Sequence, residues 1–456
     1  MMNNAIEARD FLLQYPQVHT IELLISDVNG VLRGKRIERD LLEKIYEKGF
    51  YLPGSVMALD ATGTTVERSG LGTDVGDRDR LCFPIAGTLS IVPWHEGGDR
   101  AQALCMMHEI DGSPFFADPR QVLLGAVERF NELGFTPGIA LETEFYLIDS
   151  QRDNNGNLQC PMIPNTDRRM NSTQVYSIDD LDDYDFLMRE VIDFARRQNI
   201  PADTVIAEFA PGQFEVNLNH GNDIMAATDQ AVLLKRIISS VAKNHGMIAS
   251  FMAKPYIDMS GNGLHMHLSI MDKNGKNAFA TSDPESNQRL RHAVGGLLDM
   301  AISTQALLCP SVNSYRRLSS SQSFAPGSLT WGFDNRTVAL RIPSGEVENT
   351  RIEHRISGAD ANPYLAVAVL LSGIVEGIKN KIEPPAPVVG NAYEQIHPRI
   401  ADNQRDAMRA MDNDPRVLDW FGEDFMRVYR VCKWHEIRLF ERQITPMEYE
   451  LLLPYV

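Results

Sequence analysis

The feature that most restricts what this chain can fold into is Leu264-His265-Met266-His267-Leu268-Ser269, preceded by Gly261-Asn262-Gly263. Successive side chains of an extended strand point to opposite faces. Leu264, Met266 and Leu268 can therefore enter a core while His265 and His267 share the other face. The glycines before the strand permit close approach of backbone to a ligand. Three other stretches repeat the pattern. Glu142 and Glu144 lie two residues apart in Leu141–Leu147 and so share a face. In Arg351–Ile356 the same spacing groups Arg351, Glu353 and Arg355 opposite the two isoleucines. Glu208–Glu215 reads as a strand, a Pro211-Gly212 turn and a second strand, with a carboxylate on each arm. Singly, such charges suit a solvated sheet face. Five Glu, two His and two Arg at strand spacing, each with apolar neighbours, describe the lining of one polar cavity.

Carboxylates that converge on a cavity repel one another unless cations enter it or their pKa values rise. An oxygen-rich, cysteine-free set favours Mg²⁺ or Mn²⁺ over zinc. Arg316, Arg317, Arg336, Arg341, Arg351 and Arg355 add the side chain best suited to gripping carboxylate or phosphate. Divalent metals with arginines are the tools of phosphoryl transfer, and no Walker-type phosphate loop is present. The residues thus point to a metal-dependent, ATP-using enzyme acting on an anionic substrate. A net charge of −17 and a pI near 5.1 exclude nucleic acid and anionic membrane as expected partners. Five scattered cysteines suit free thiols in a reducing compartment. With no signal peptide or long apolar run, the expected location is cytoplasmic.

At 456 residues the chain is long enough for more than one domain. Residues 1–110 read as a small mixed domain. A helical pattern over 6–14 leads to a strand at Thr20–Ser26, an Asn29-Gly30 hairpin turn, a returning strand over 31–37 and a helix over 39–48. The polar, glycine-rich run 60–80 is too long for an ordinary connection, so it reads as mobile or functional. Strands over 88–93 and 103–108 close the unit, with the boundary at Asp111-Gly112-Ser113-Pro114. Residues 111–456 form the second unit, opened by Asp118 as a helix N-cap with Pro119 in the first turn. Helical patterns over 119–133, 182–198, 222–245, 286–308 and 363–378 alternate with the charged strands. The chain is mainly helical from about 403. It ends in the apolar tail Leu451–Val456, a kind of segment that more often docks on a core than hangs free.

Several of these strings also carry a resemblance. Leu141–Phe145, Glu208–Glu215, Gly261–Ser269, Asn313–Arg317, Asn335-Arg336 through Pro343, Arg351–Arg355 and Ala361–Leu365 match, in order and at similar spacing, the glutamine synthetase superfamily. Asp27–Ile37, Phe251–Tyr256 and Arg336–Arg341 resemble its bacterial gamma-glutamylpolyamine (gamma-glutamylputrescine) synthetase branch. The resemblance implies an α+β fold: a small beta-grasp N-terminal domain and a large catalytic domain with an antiparallel sheet and flanking helices. It implies a dodecamer of two stacked hexamers with sites between neighbouring subunits. By motif, Glu144, Glu208 and Glu215 would hold one Mg²⁺ or Mn²⁺, and Glu142, His265 and Glu353 another. His267, Ser269 and Arg351 fall at ATP positions, Arg336 and Arg341 near the transferred phosphate, and Gly261, Arg317 and Arg355 at the glutamate. The implied reaction joins glutamate to an amine through gamma-glutamyl phosphate, with Arg336 and Glu208 as catalytic residues.

The choice of amine turns on two positions. Glutamine synthetases place carboxylates near the acyl phosphate in stretches matched here by Leu52–Ser55 and Ser323–Pro326. Pro53 and Phe324 stand in those places, which predicts an organic amine, a polyamine foremost, with Glu208 left as the carboxylate nearest the nitrogen. The alternatives are an ammonia-using glutamine synthetase and a non-catalytic assembly protein of the same family. Tyr393 falls where some glutamine synthetases carry an adenylylated tyrosine. Because Glu394-Gln395-Ile396 depart from the usual pattern there, an unmodified surface tyrosine is expected. The tail Leu451–Val456 is expected, as the family implies, to dock on a partner ring.

Overall fold

The Asn29-Gly30 turn closes as its sequence requires. Gly30 takes φ +77°, and Asp27 Oδ1 accepts from the backbone N–H of Asn29 (2.9 Å) and Val31 (3.0 Å). In the computed structural model, which describes residues 4–172, 174–283, 286–318 and 324–456, this turn joins the first two strands of a six-stranded sheet. Its strands are β1 (Thr20–Ser26), β2 (Leu32–Glu38), β3 (Phe50–Pro53), β4 (Asp79–Pro84), β5 (Ser90–Ile91) and β6 (Arg100–His108). The order is β2-β1-β6-β4-β3, with β5 against β6; β1 and β6 run parallel and the remaining pairs are antiparallel. This is the small beta-grasp unit the sequence suggests, though β3 and most of β4 lie in segments that carry no strand pattern.

The second sheet has eight strands: β7 (Thr136–Asp149), β8 (Ala202–Ala207), β9 (Gln213–Leu218), β10 (Met247–Ser250), β11 (Leu264–Met271), β12 (Trp331–Phe333), β13 (Leu340–Ile342) and β14 (Ile352–His354). They run in the order β12-β13-β14-β11-β7-β9-β8, with β10 on the far end of β7. All pairs are antiparallel except β12 with β13. One face buries Ile139, Leu141, Phe145, Leu264, Met266 and Leu268 in a single large core. The helices Ile224–Asn244, Gln288–Leu308 and Pro363–Asn380 contribute to that core. Each such side chain fully buried stabilises the fold by about 1.5–3 kcal/mol.

Two devices fix the helices. Gly296 and Gly377 let the last two approach backbone to backbone: a Cβ on Gly296 would lie 2.1 Å from Gly373 O, and one on Gly377 1.9 Å from His292 O. Arg120, from the helix Pro119–Asn131, grips Asp229 through Nε (2.9 Å) and Nη2 (2.8 Å), and the Tyr364 hydroxyl donates to the same carboxylate (2.7 Å). Burial is the largest influence on Asp118, the N-cap of that first helix, and pushes its pKa up to about 6 against the backbone N–H groups it accepts. The two units are joined late in the chain. Val428 and Cys432 of the helix Glu423–Glu441 fill the core under the first sheet. Asn29 Nδ2 donates to Glu436 (3.2 Å), and the buried Lys433 donates to both Asn29 and Glu436.

The structure departs from the sequence expectations in particular places. The 60–80 run is built, not loose. Asp60 Oδ1 accepts from Thr62 N (2.9 Å) and Thr64 N (3.0 Å), Glu67 accepts from Thr73 N (2.9 Å), and Arg427 reaches Ser69 O. The 182–198 pattern divides at Tyr184 into helices Ile178–Asp183 and Asp185–Arg197. The 88–93 strand shrinks to Ser90–Ile91, and Arg351–Ile356 is a strand only at Ile352–His354, buried on both faces. The C-terminal tail does not dock on its own chain. The helix Pro446–Leu452, started by a Thr445–Glu448 capping box, leads into Leu453, Tyr455 and Val456 at 72%, 85% and 95% exposure.

Candidate active site

Strand register assembles the site. His265 lies opposite Glu142 and His267 opposite Glu353, which in turn lies opposite Arg341. Glu144 lies opposite Glu215, and Glu142 opposite Asn217. Directly opposed residues hold their Cβ atoms about 4.5–5.5 Å apart, so these pairings draw the charged side chains of five strands into one patch. The patch lines a cavity of about 230 Å³. Glu142, Glu144, Glu208, Glu215, Gly261, His265, Arg317, Arg336, Arg341, Glu353 and Arg355 all face it. His267, Ser269 and Arg351 lie outside its lining. Arg351 Nε donates to His267 Nδ1 (3.1 Å), and Ser269 Oγ bonds His220 Nε2 (3.0 Å). Because His265, His267 and Ser269 alternate along β11 at roughly 6.6 Å per pair of residues, they form a line running away from the cavity. His265, His267 and Ser269 are all buried; the polar face of β11 is an interior wall and not a solvated surface.

Glycine is required where this wall bends. A Cβ on Gly263 would sit 2.7 Å from His265 Nε2 and 2.9 Å from Arg317 Nη2, and one on Gly261 2.5 Å from Ala253 O. The Gly263 N–H donates to Glu144 Oε2 (2.7 Å), and Gln213 Nε2 donates to Gly261 O (3.0 Å). Arg317 is fixed by the carbonyls of Ile356 (3.0 Å) and Arg355 (3.2 Å). Glu353 is held between Arg355 and Arg341, the latter at 2.8 Å, and Arg341 also pairs with Asp334.

Electrostatics divide the carboxylates into two kinds. Burial works against charge on Glu353, but Arg355, His265 and His267 outweigh it and bring its pKa to about 2. Burial likewise opposes charge on Glu142, yet bonds from His265 and His267 hold it well below the usual carboxylate range. Glu208 goes the other way: burial and then Glu144 push it to about 8. Burial followed by Glu142, Glu144 and Glu208 drives Glu215 well above its ordinary value. A site that forces acids to keep their protons is one that added positive charge would relieve.

The residues fit a divalent cation. Ligand atoms of Glu142, Glu215 and His265 lie within 4.8 Å of one another, as do those of Glu142, His267 and Glu353. Asn217 Oδ1 and Gln213 Oε1 are buried acceptors without a protein partner, as are the donors Nε of Arg341 and Arg355. Orphaned acceptors beside carboxylates suit cations, and orphaned guanidinium donors suit an anion. The two groupings share Glu142, with His265 beside Glu215 in one and His267 beside Glu353 in the other. The reason is local: Glu142 Oε1 is drawn to His267 Nε2 at 2.9 Å and Oε2 to His265 Nδ1 at 3.4 Å.

The amine positions lie apart within one chain. Pro53 ends β3 in the first sheet, away from this chain's own cavity. Phe324 does line it, but Ser323 beside it lies outside the described residues. Tyr393 is not a free surface tyrosine: its hydroxyl donates to Ala325 O (2.9 Å), and burial raises its pKa. Sequence reasoning missed Gln213, Asn217, Tyr176, Phe209, His220 and Asp334. The first two alternate with Glu215 on β9 and were open to the same spacing argument. Tyr176 and Asp334 sit in loops at φ +62° and +43°, where no periodicity points to them. Left-handed backbone costs roughly 1–2 kcal/mol for a side chain larger than glycine, so a strained aromatic facing a polar cavity marks a functional position.

This fold and this carboxylate, imidazole and arginine wall place the chain in the glutamine synthetase family, whose catalytic domain matches residues 116–452. Among its relatives, the gamma-glutamylputrescine synthetase PuuA of Escherichia coli (strain K12) is 41% identical, over 98% of this chain and 94% of that one. The glutamate–isopropylamine ligase of Pseudomonas sp is 35% identical over 95% and 94%. A solved GmaS/ADP complex superposes with a TM-score of 0.85 at 25% identity, covering 100% of both chains. No helix among the described residues is long and apolar enough to cross a membrane.

Proposed function

We propose that this chain is an ATP-dependent ligase that joins the gamma-carboxylate of glutamate to an organic amine, a polyamine foremost, through gamma-glutamyl phosphate. The observation that carries the choice of amine is the ring pair beside Glu208. Phe209 and Phe324 both line the cavity, with centroids 5.0 Å apart, where an ammonium-binding site calls for carboxylates. Relatives named for putrescine and isopropylamine support the same reading.

In this reading Arg317, Arg355 and the backbone at Gly261 orient glutamate, and the orphaned Nε of Arg355 accounts for one carboxylate contact. His267, Ser269 and Arg351 receive the nucleotide along the outer part of β11. ATP's gamma-phosphoryl group passes to the glutamate carboxylate and ADP leaves. Arg336 and Arg341 face the charge that moves, and fixed donors in a dry site stabilise such charge strongly. Glu142, Glu144, Glu208, Glu215, His265 and Glu353 would hold the Mg²⁺ or Mn²⁺ ions, which supply neutralisation of phosphate charge when bound. The amine nitrogen then attacks the acyl carbon, phosphate departs, and Glu208 takes the proton the nitrogen sheds. A homo-oligomer, with the exposed tail Leu451–Val456 seated on a partner ring in a dodecamer, belongs to the same proposal.

Phosphate release is to be measured with glutamate, ATP, Mg²⁺ and a panel of amines that includes ammonia. A kcat/KM for putrescine at least about tenfold above ammonia is expected, about 1.4 kcal/mol of transition-state discrimination. Ammonia matching every organic amine would refute the reading.

A further inference from the structure

The cavity has one aromatic wall, to which the reading above gives no metal, ATP or glutamate contact. Among the described residues with side chains in the left-handed region, two are aromatic, Tyr176 (φ +62°) and Phe324 (φ +52°), and both line this cavity. Each is tied down through its backbone or its neighbour's. The Tyr176 N–H donates to Ala207 O (2.9 Å), and its hydroxyl accepts from Arg336 Nη1 (3.2 Å). Phe324 O accepts from Arg355 Nη2 (3.1 Å), while Tyr393 holds Ala325 O. Phe209, immediately after Glu208, meets Phe324 at 44° between ring planes. Rings held against their backbone preference are held for position. The carboxylates Glu142, Glu144, Glu215 and Glu353 reach the cavity from the strands β7, β9 and β14; the loops that carry the rings add Glu208 alone to its lining.

We infer that the Phe209–Phe324 pair is a seat for a second cationic group on the amine, so that the site selects a diamine or polyamine whose distal ammonium rests on aromatic faces. The inference rests on the organic-amine reading above and goes further by naming the recognition chemistry. An ammonium within about 6 Å of a ring centroid is attracted by the ring's negative face, and more strongly when water is excluded. Glu208 would hold the reacting nitrogen, and the carbon chain would carry the other nitrogen to the adjoining rings. Arg336 at the Tyr176 hydroxyl repels a cation from that edge, which leaves the phenylalanine pair as the seat and Tyr176 as its side wall.

The test compares putrescine with n-pentylamine, which has a methyl group in place of the distal ammonium. The quantity read is the ratio of their kcat/KM values. The wild type is expected to favour putrescine. Phe324→Leu and Phe209→Leu keep apolar bulk but remove a π face, and each is expected to lower the ratio about tenfold. Phe324→Trp keeps the face and is expected to keep the ratio, which also guards against a leucine variant that fails to fold. A wild type that prefers n-pentylamine, or leucine variants that lose both amines equally, would overturn the seat while leaving an organic-amine ligase in place. A wild type that prefers ammonia would instead remove the reading on which the seat depends.

Discussion

Divalent cation binding to this chain should release protons, and the number follows from the carboxylates. With Glu208 at about 8, roughly nine-tenths of it is protonated at pH 7. Burial and the neighbouring Glu142, Glu144 and Glu208 raise Glu215 well above its ordinary value, so it adds to the count in the same direction. A metal needs both as carboxylates, so loading the site at pH 7 should release at least about one proton. Apparent affinity should rise with pH from about 5 to 8 and level off above it. The expected slope is roughly tenfold per pH unit for each proton released. Calorimetric titration with Mn²⁺ in two buffers of different ionisation enthalpy gives the count directly. Glu208→Gln should reduce it by about one. Stability must follow the same sign. Both acids have folded-state pKa values above the unfolded 4.5, so they cost the cation-free protein stability as pH rises above 4.5, Glu208 through about 8. Saturating cation should restore it, and most of all near pH 8. Zero proton release at pH 7 would refute the assignment of Glu208 and Glu215 as crowded, cation-seeking acids.

Asp229→Asn leaves Arg120 buried without its carboxylate and should cost about 3–5 kcal/mol, read as a lower urea midpoint. Gly296→Ala forces a Cβ to within 2.1 Å of Gly373 O; overpacking of this kind should cost about 3 kcal/mol, seen as a lower midpoint for thermal unfolding. Deleting residues 446–456 should lower the particle mass on a sizing column, and an unchanged mass and melting temperature would show that the exposed tail has no partner.

How much was legible in the sequence depended on whether function and fold used the same periodicity. His265 and His267 were legible because the residues between them, Leu264, Met266 and Leu268, had to be core. Glu142 and Glu144 were legible for the same reason. Asp118 and the Asn29-Gly30 turn were legible because caps and hairpins use local chemistry. The strand β3 was not, since Phe50–Pro53 is too short to alternate, and its identity comes from pairing with β4 across about thirty residues of chain. That Glu142 reaches both His265 and His267 was not legible either. It is a matter of side-chain geometry within a correctly read row. Tyr176 and Phe324 sit in loops, where no periodicity announces that two strained aromatics face one cavity.

The bond between Asn29 and Glu436 spans 407 positions of the chain, and that distance has a consequence in time. At a synthesis rate of about 5–20 residues per second, the first hairpin leaves the ribosome roughly 20–80 s before the helix Glu423–Glu441. Until then Val428 and Cys432 are missing from the core beneath the first sheet, and Asn29 lacks Glu436 and Lys433. The first part of the chain to be made is therefore among the last to be finished. During that interval it presents an incomplete apolar face, so the beta-grasp unit is where a nascent chain of this protein should most need a chaperone's protection.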